Sequence, residues 1–244
     1  MSKASSEPTK EEIKEKVRSE LKLVFSNFYK GSAKEAAYAR SSAIFAQRAI
    51  KTGKISLLLA DIPVVMQMAR DNLAKISEPN DESWLKLRAT RRVLVCLGAF
   101  SYMAFVEAMA TPYIDLSILL LSTEGDFFHV GPDRKHNYVR HAMSLSDLDS
   151  PSVSMANKLD YLESCGLPFF SKWVDRDLRN TIAHMNFDID DNGDFLKTTK
   201  GRQAKESKVP IDLQERLQSF NNYYIAVSDI FIYEMEKLHR SKSQ

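Results

Sequence analysis

One long apolar segment, residues 83–123, constrains the fold of this chain more than any other feature. A segment of that length either crosses a membrane or forms a central helix of a bundle. Its most apolar part, residues 93–121, is interrupted by Glu107, Pro112 and Asp115. We therefore predict a buried bundle helix, bent or broken at Pro112, and no association with a membrane.

Apolar residues that recur every three or four positions predict amphipathic helices along most of the remaining chain. Thr9 can cap the first of these helices, whose apolar stripe is Ile13, Val17, Leu21, Val24 and Phe28. Gly166 stands where the end of a helix needs a left-handed residue. The same spacing predicts further helices over residues 33–52, over residues 55–76 with a kink near Pro63, from Ser150 or Ser152 to Glu163, from Pro168 to His184, and from Ile211 to about Arg240.

The amino-acid composition predicts the class of fold, and a helix-breaking segment predicts how the chain divides into domains. Eight glycines, eight prolines and 27% charged residues are typical of an ordered, helix-rich protein. The break Glu78-Pro79-Asn80-Asp81 divides the chain into an N-terminal helical extension, residues 1–80, and a helical domain, residues 81–244. We predict an all-α bundle with one short β-hairpin, and loops over residues 125–138 and 197–208.

The net charge and the cysteine content indicate which partners and which cellular compartment to expect. A net charge of +2 is too small to indicate a nucleic-acid binder by itself. Cys96 and Cys165 both have apolar neighbours, so we expect buried free thiols in a reducing compartment. The first ten residues are polar and carry no secretory signal, and we predict a cytoplasmic location.

The chemistry of the chain is concentrated in the segment Arg179-Asn180-Thr181-Ile182-Ala183-His184, which precedes an acidic Asn-Gly hairpin. Arginine binds phosphate oxygens with a planar fork and stays charged, whereas histidine exchanges a proton near neutral pH. Asn180 and His184 share one face of an ideal helix, but Arg179 and His184 are about 140° apart. Two simpler interpretations stay open: Arg179 could form a surface ion pair with Asp175, and His184 could be an inert helix-terminal histidine.

These residues also resemble the motif of the HEPN superfamily, an arginine with four to six residues before a histidine. The context is similar too, because a short helix and a glycine break precede the motif helix and a long helix closes the chain. The resemblance covers roughly residues 84–238 and is strongest over residues 158–195. It implies a helical bundle that dimerises and that, in many members, is a metal-independent ribonuclease.

On this resemblance the chain is expected to be an endoribonuclease that acts in defence or stress and leaves 2′,3′-cyclic phosphate ends. His184 would be the general acid or base, Arg179 would stabilise the phosphate, and Asn180 would orient the pair or the substrate. Two copies of the chain would supply two imidazoles to a composite site at a homodimer interface. An antitoxin or defence-system protein is an expected further partner. Some HEPN toxins carry a tyrosine, modified by a partner enzyme, two residues after the histidine; Asn186 stands there, which argues against that control.

Further residues are candidates to support this site. Glu107, the lone acid within residues 93–111, either pairs with Arg179 or reaches solvent at a helix edge. Two basic segments could hold RNA phosphates, although ordinary exposed loops have the same composition: Arg134 and Lys135 in the first, and Lys197, Lys200, Arg202 and Lys205 in the second. The sequence predicts no metal site and no cofactor. The competing function is a non-catalytic helical module that binds RNA or a protein, and a membrane-anchored helical protein is a third.

Overall fold

A computed structural model of the chain describes residues 9–30, 64, 67–68, 71, 81–121, 127–130, 138–141, 148, 153–200 and 206–240. Most of the described residues are helical, in agreement with the predicted class. The predicted boundary at residue 80 and nearly all of the predicted helices 33–52 and 55–76 lie outside these ranges. The helices are α1 (Lys10–Lys30), α2 (Asp81–Phe105), a π-helical turn (Val106–Ala110), α3 (Thr111–Leu121), α4 (Met155–Ser164), α5 (Phe169–Val174), α6 (Arg176–Ala183) and α7 (Leu213–Arg240).

The β-structure is larger than the single hairpin that the sequence predicted. Strands β1 (Phe127–Val130) and β2 (Tyr138–His141) pair antiparallel, although residues 125–138 were expected to form a loop. Strands β3 (Phe187–Ile189), β4 (Phe195–Lys200) and β5 (Glu206–Ile211) form an antiparallel sheet in that order. The expected hairpin is β3–β4, and β5 extends it. Strand β5 lacks an apolar alternation and contains Pro210, which an edge strand tolerates, so main-chain pairing forms a strand that the pattern did not predict.

The chain divides into two compact units. The first unit contains α1, α3, β1, β2, α4, α5 and residues 219–240 of α7. The second contains α2 with the π-helical turn, α6, the sheet β3–β4–β5 and the first residues of α7. The division therefore interleaves distant parts of the sequence, and the motif segment lies in the second unit.

Helix α1 of the first unit forms as its sequence predicts. The Thr9 hydroxyl accepts from the amide of Glu12 at 3.2 Å, and the Glu12 carboxylate accepts from the amide of Thr9 at 2.7 Å. This reciprocal capping box satisfies two amides at the start of the helix and lowers the pKa of Glu12. The predicted stripe is buried at each of its described positions, which are Ile13, Val17, Leu21 and Val24.

Aromatic side chains fill much of the rest of the first unit's core. The ring of Tyr113 on α3 lies 5.2 Å from that of Phe231 on α7, centroid to centroid, and its hydroxyl is 2.9 Å from that of Ser228. Burial raises the pKa of Tyr113 to about 12. The indole nitrogen of Trp173 donates to the carbonyl of Phe220 at 3.1 Å, so a buried polar group finds a partner.

A buried ion pair joins α3 to α4 in this unit. Lys158 Nζ lies 2.7 Å from Asp115 Oδ1, and both side chains are almost completely buried. The Lys158 ammonium has lost its hydration on burial and is compensated by the Asp115 carboxylate. Asp115, which interrupts the apolar segment in the sequence, is therefore accommodated inside the helix packing.

Replacing Asp115 by alanine should cost about 3–5 kcal/mol of unfolding free energy, because it strands the Lys158 ammonium in the core. The double variant Asp115→Leu/Lys158→Met should recover most of that loss. Urea unfolding of the unmodified protein and of both variants at pH 7 measures both effects. A single variant as stable as the double one would contradict this account.

The long apolar segment is helical from Asp81 to Leu121 and is not broken at Pro112. Proline lacks the amide hydrogen that the preceding turn requires, and the π-helical turn Val106–Ala110 directly before it widens the helix instead. By length and composition, the run Trp84–Leu121 is the one helix of the described residues that could span a membrane, a test that core helices of bundles also pass.

The helix predicted from Pro168 to His184 is instead two helices, α5 and α6, that meet at Asp175. Asp175 has a left-handed φ of 41° and accepts a hydrogen bond from the amide of Leu178 at 3.1 Å, so it caps α6. The stripe predicted for one helix is nevertheless buried throughout: Phe170, Val174, Leu178 and Ile182.

Two predicted helix starts also require correction. The capping residue of α4 is Ser154, in a capping box with Asn157, and not Ser150 or Ser152. Helix α7 begins at Leu213 because Ile211 is paired in β5 and the Asp212 carboxylate accepts from the amide of Glu215 at 3.0 Å. Gly166 has the predicted left-handed backbone, with a φ of 84°, and both cysteines are free and partly buried.

Candidate functional site

The motif segment forms helix α6 and its C-terminal end, inside the second unit. Leu178, Thr181 and Ile182 are the buried face of this helix, which packs against α2. The motif side chains lie off that face. Arg179 and Asn180 are partly exposed, and His184 is exposed at the helix end.

A Schellman turn places His184 at the C-terminus of α6. Its amide donates to the carbonyl of Asn180 at 3.0 Å. The amides of Met185 and Asn186 then donate to the carbonyls of Ile182 and Thr181, at 3.0 and 2.8 Å, which is the paired pattern of this turn. The turn needs a left-handed residue after His184, and Met185 supplies it with a φ of 54°.

Met185 carries a backbone cost that glycine avoids. Helix α4 ends in the same hydrogen-bond pattern, but its left-handed residue is Gly166. A left-handed backbone costs a residue with a β-carbon about 1–2 kcal/mol. The side chain of Met185 is 63% exposed, so packing does little to offset that cost.

Met185→Gly should therefore stabilise the protein by about 0.5–1 kcal/mol, once the added flexibility of the unfolded chain is subtracted. Gly166→Ala is its matched opposite and should destabilise by about 1 kcal/mol or more. An added Cβ at Gly166 would make only an ordinary contact of 3.6 Å with Leu23, so the cost lies in the backbone. In thermal and urea unfolding, the two substitutions should change the stability with opposite signs. Changes of equal sign would refute the strain at Met185.

Arg179 forms an ion pair with Glu107 of the π-helical turn. Its Nη2 lies 2.9 Å from Glu107 Oε1, and its Nη1 lies 3.5 Å from Asn180 Oδ1. The Glu107 side chain is 51% exposed, against 26% for Arg179. Both interpretations of Glu107 thus hold in part, since it pairs with Arg179 and also reaches solvent.

The side-chain carboxylate of Asp175 pairs with groups other than the Arg179 guanidinium. Besides capping α6, its carboxylate lies 3.5 Å from Nε of Arg216 on α7. Burial, together with the negative charge of Asp175, raises the pKa of Tyr102 on α2. The expected alternative, in which Asp175 and Arg179 form a simple surface pair, is therefore replaced by two separate ion pairs.

The predicted RNA-binding residues are only partly described. Lys197 lies on β4, and its ammonium forms an ion pair with Asp177 of α6. Lys200 also lies on β4. Arg134, Lys135, Arg202 and Lys205 lie outside the described residues, so their role stays a prediction.

A further cluster joins the basic residues at the start of α2 to the acidic β3–β4 turn, a pairing that the sequence did not predict. Nη2 of Arg88 and Nη2 of Arg92 lie 2.6 and 3.3 Å from the same oxygen of Asp191. Gly193 of that turn has a φ of 85°, and a Cβ there would come within 2.9 Å of the Arg91 Cβ. The turn therefore lies directly on α2, and contacts across about a hundred residues of sequence carry no local pattern.

Asp188 ties the sheet together electrostatically. It forms an ion pair with Lys208 of β5 and accepts from the amide of Ile189 at 2.8 Å. The hydrogen bond from Lys208 is the largest cause that lowers the pKa of Asp188, followed by the one from Ile189. The ionised form of Asp188 is thus favoured in the folded sheet.

Because the folded pKa lies below the unfolded one, this stabilisation is complete above about pH 4 and is lost as the pH falls through the folded pKa. Asp188→Asn should therefore flatten the pH dependence of the unfolding free energy between about pH 4 and pH 2. Urea unfolding across that range measures the slope. Asp194→Asn, on the same hairpin, controls for the loss of one negative charge, and equal slopes for the two variants would exclude the effect.

Comparison of the chain with family models, with curated proteins and with solved structures found no match. Among the described residues, no group of three or more histidine, cysteine or acidic side chains is arranged to hold a metal ion. In the second unit, a guanidinium and an amide lie on one short helix, with an exposed imidazole at its end and the Glu107 carboxyl group beside the guanidinium.

Proposed function

We propose that this protein is a metal-independent endoribonuclease of the HEPN type, acting on RNA in defence or stress. The observation that carries the proposal is the presentation of Arg179, Asn180 and His184 at the exposed end of a helix whose other face is buried. The arginine–histidine spacing of HEPN motifs supports the family assignment. A mostly helical chain is consistent with it.

The proposed chemistry is attack on the phosphate by the neighbouring 2′-hydroxyl of RNA. That reaction needs a base for the hydroxyl proton, an acid for the leaving 5′-oxygen, and a cation for the developing charge. His184 supplies proton transfer and Arg179 supplies the cation. Asn180, 3.5 Å from Arg179 Nη1, keeps the guanidinium oriented. The products are a 2′,3′-cyclic phosphate and a 5′-hydroxyl.

A second copy of the chain supplies the second imidazole in this proposal. One face of α2 supports such a contact, because four large apolar side chains are exposed on it: Leu85, Val93, Leu97 and Phe100. Glu107 lies two turns beyond Phe100 on the same face, next to Arg179. Contiguous exposed apolar surface commonly marks a protein contact. The proposed active form is therefore a homodimer that forms through this face of α2.

The competing proposal is a non-catalytic helical module that binds RNA or a protein. The observation that favours it is the engagement of Arg179 by Glu107, together with the angle of about 140° between Arg179 and His184 on a helix. In such a module the same residues hold a ligand without transferring protons. Loss of the imidazole would then weaken binding without a catalytic effect.

Incubation of the purified protein with mixed single-stranded RNA in excess chelator should yield cyclic phosphate ends. His184→Ala should lower the cleavage rate at least about 100-fold, the contribution of a lost general acid or base. Arg179→Lys should also be slow, because an ammonium keeps the charge but not the fork. End-group analysis and single-turnover rates measure these effects.

Arg176→Ala is the matched control, since Arg176 is an exposed arginine one turn earlier on the same helix. It should cleave RNA like the unmodified protein. Unchanged cleavage by His184→Ala would eliminate the proposed enzyme. RNA binding without cleavage by the unmodified protein would favour the non-catalytic module.

A further inference from the structure

Both terminal nitrogen atoms of Arg179 already face polar side chains in the unliganded protein. Its Nη1 faces Asn180, and its Nε is buried without a hydrogen-bond partner. Its Nη2 donates to Glu107, whose side chain is half exposed. An anion that binds at Nη2 of the guanidinium therefore competes with the Glu107 carboxylate.

A carboxylate and a phosphodiester compete for the same donors of an arginine. Both accept N–H hydrogen bonds from the planar fork, and one guanidinium edge cannot serve both at full strength. The ion pair holding Glu107 is weak enough to exchange, because solvent weakens ion pairs whose side chains are partly exposed. The exposure of Glu107 leaves room for its carboxylate to turn away while Arg179 stays on its helix.

We propose that Glu107 occupies the phosphate position of Arg179 in the unliganded protein and that RNA must displace it. Glu107 is thus an affinity-determining residue and not a proton-transfer group. The inference rests on the proposed function in one respect, the binding of an RNA phosphate by Arg179. It adds that the resting site is closed by a carboxylate of its own chain.

The π-helical turn gives Glu107 its position. The five residues Val106–Ala110 depart from α-helical geometry, and Val106, Met109 and Ala110 remain buried while Glu107 points outward. Turns of this kind inside α-helices occur frequently at functional sites. The neighbouring cations have carboxylate partners as well, since Lys197 pairs with Asp177 and Arg216 with Asp175. Glu107 differs from those acids because its partner is the motif arginine.

The test measures RNA affinity without cleavage, in a His184→Ala background and in chelator, by fluorescence anisotropy with a labelled single-stranded RNA. Glu107→Gln should tighten binding about two- to fivefold, the fold-change equivalent of a partly exposed ion pair. In an Arg179→Gln background the same substitution should leave affinity unchanged, because no guanidinium is released. In the active protein, Glu107→Gln should lower KM and leave kcat within about twofold.

Asp177→Asn is the matched control. It removes the same charge from the neighbourhood, so any general electrostatic gain in affinity should persist in the Arg179→Gln background, unlike that of Glu107→Gln. Near-ultraviolet circular dichroism of each variant checks that the fold is retained.

Three results would overturn the inference alone. Unchanged binding by Glu107→Gln would show that the carboxylate does not compete with RNA, and weaker binding would show that it positions Arg179. An equal gain with and without Arg179 would show a general charge effect. A loss of kcat of about 100-fold at unchanged affinity would make Glu107 a proton-transfer group. If Arg179→Gln itself binds RNA normally, the proposed function fails together with the inference, whereas the first three results leave the proposed function standing.

Discussion

The burial of Leu178, Thr181 and Ile182, on a helix that packs against α2, is the constraint on which the geometry of the motif depends. These positions are spaced by three and one, so they fill one side of a helix of little more than two turns. Because that side of the helix is buried in the core, the side chains of Arg179 and Asn180 project from its flank, and His184 lies at its end. The burial of the apolar side chains thus exposes the three polar ones.

The residues at both ends of this helix have a left-handed backbone conformation, which residues other than glycine rarely adopt. Asp175 begins it with a φ of 41° and Met185 ends it with a φ of 54°. Asp175 offsets its cost through the hydrogen bond to Leu178 and the ion pair with Arg216. Met185 has no comparable compensation from packing, but its conformation allows the chain to turn into β3. There the amide of Thr198 on β4 donates to the carbonyl of Asn186 at 2.9 Å. Strain of this kind persists where the surroundings over-determine the backbone.

Among the described residues of the second unit, several charged side chains are arranged in local ion pairs. The pairs Arg179–Glu107, Lys197–Asp177, Lys208–Asp188 and Arg216–Asp175 each join a cation to an acid from a different element. This arrangement explains how a chain with a net charge of only +2 can hold several cations beside the motif helix. It also means that any anionic ligand competes with carboxylates already present, so charge counting on the sequence overstates the positive field at the site.

The sequence by itself determined the features that depend on neighbours along the chain. Periodicity gave helix α1 and its Thr9 cap, the buried stripe through Phe170 and Ile182, and the end of the motif helix at His184, because hydrophobic spacing and capping are local. Tertiary structure decided the rest. The strand β5 and the choice of Glu107 over Asp175 as the partner of Arg179 depend on contacts between separate segments. Such contacts leave no local pattern, since an edge strand or an ion pair forms only after packing has brought its two sides together.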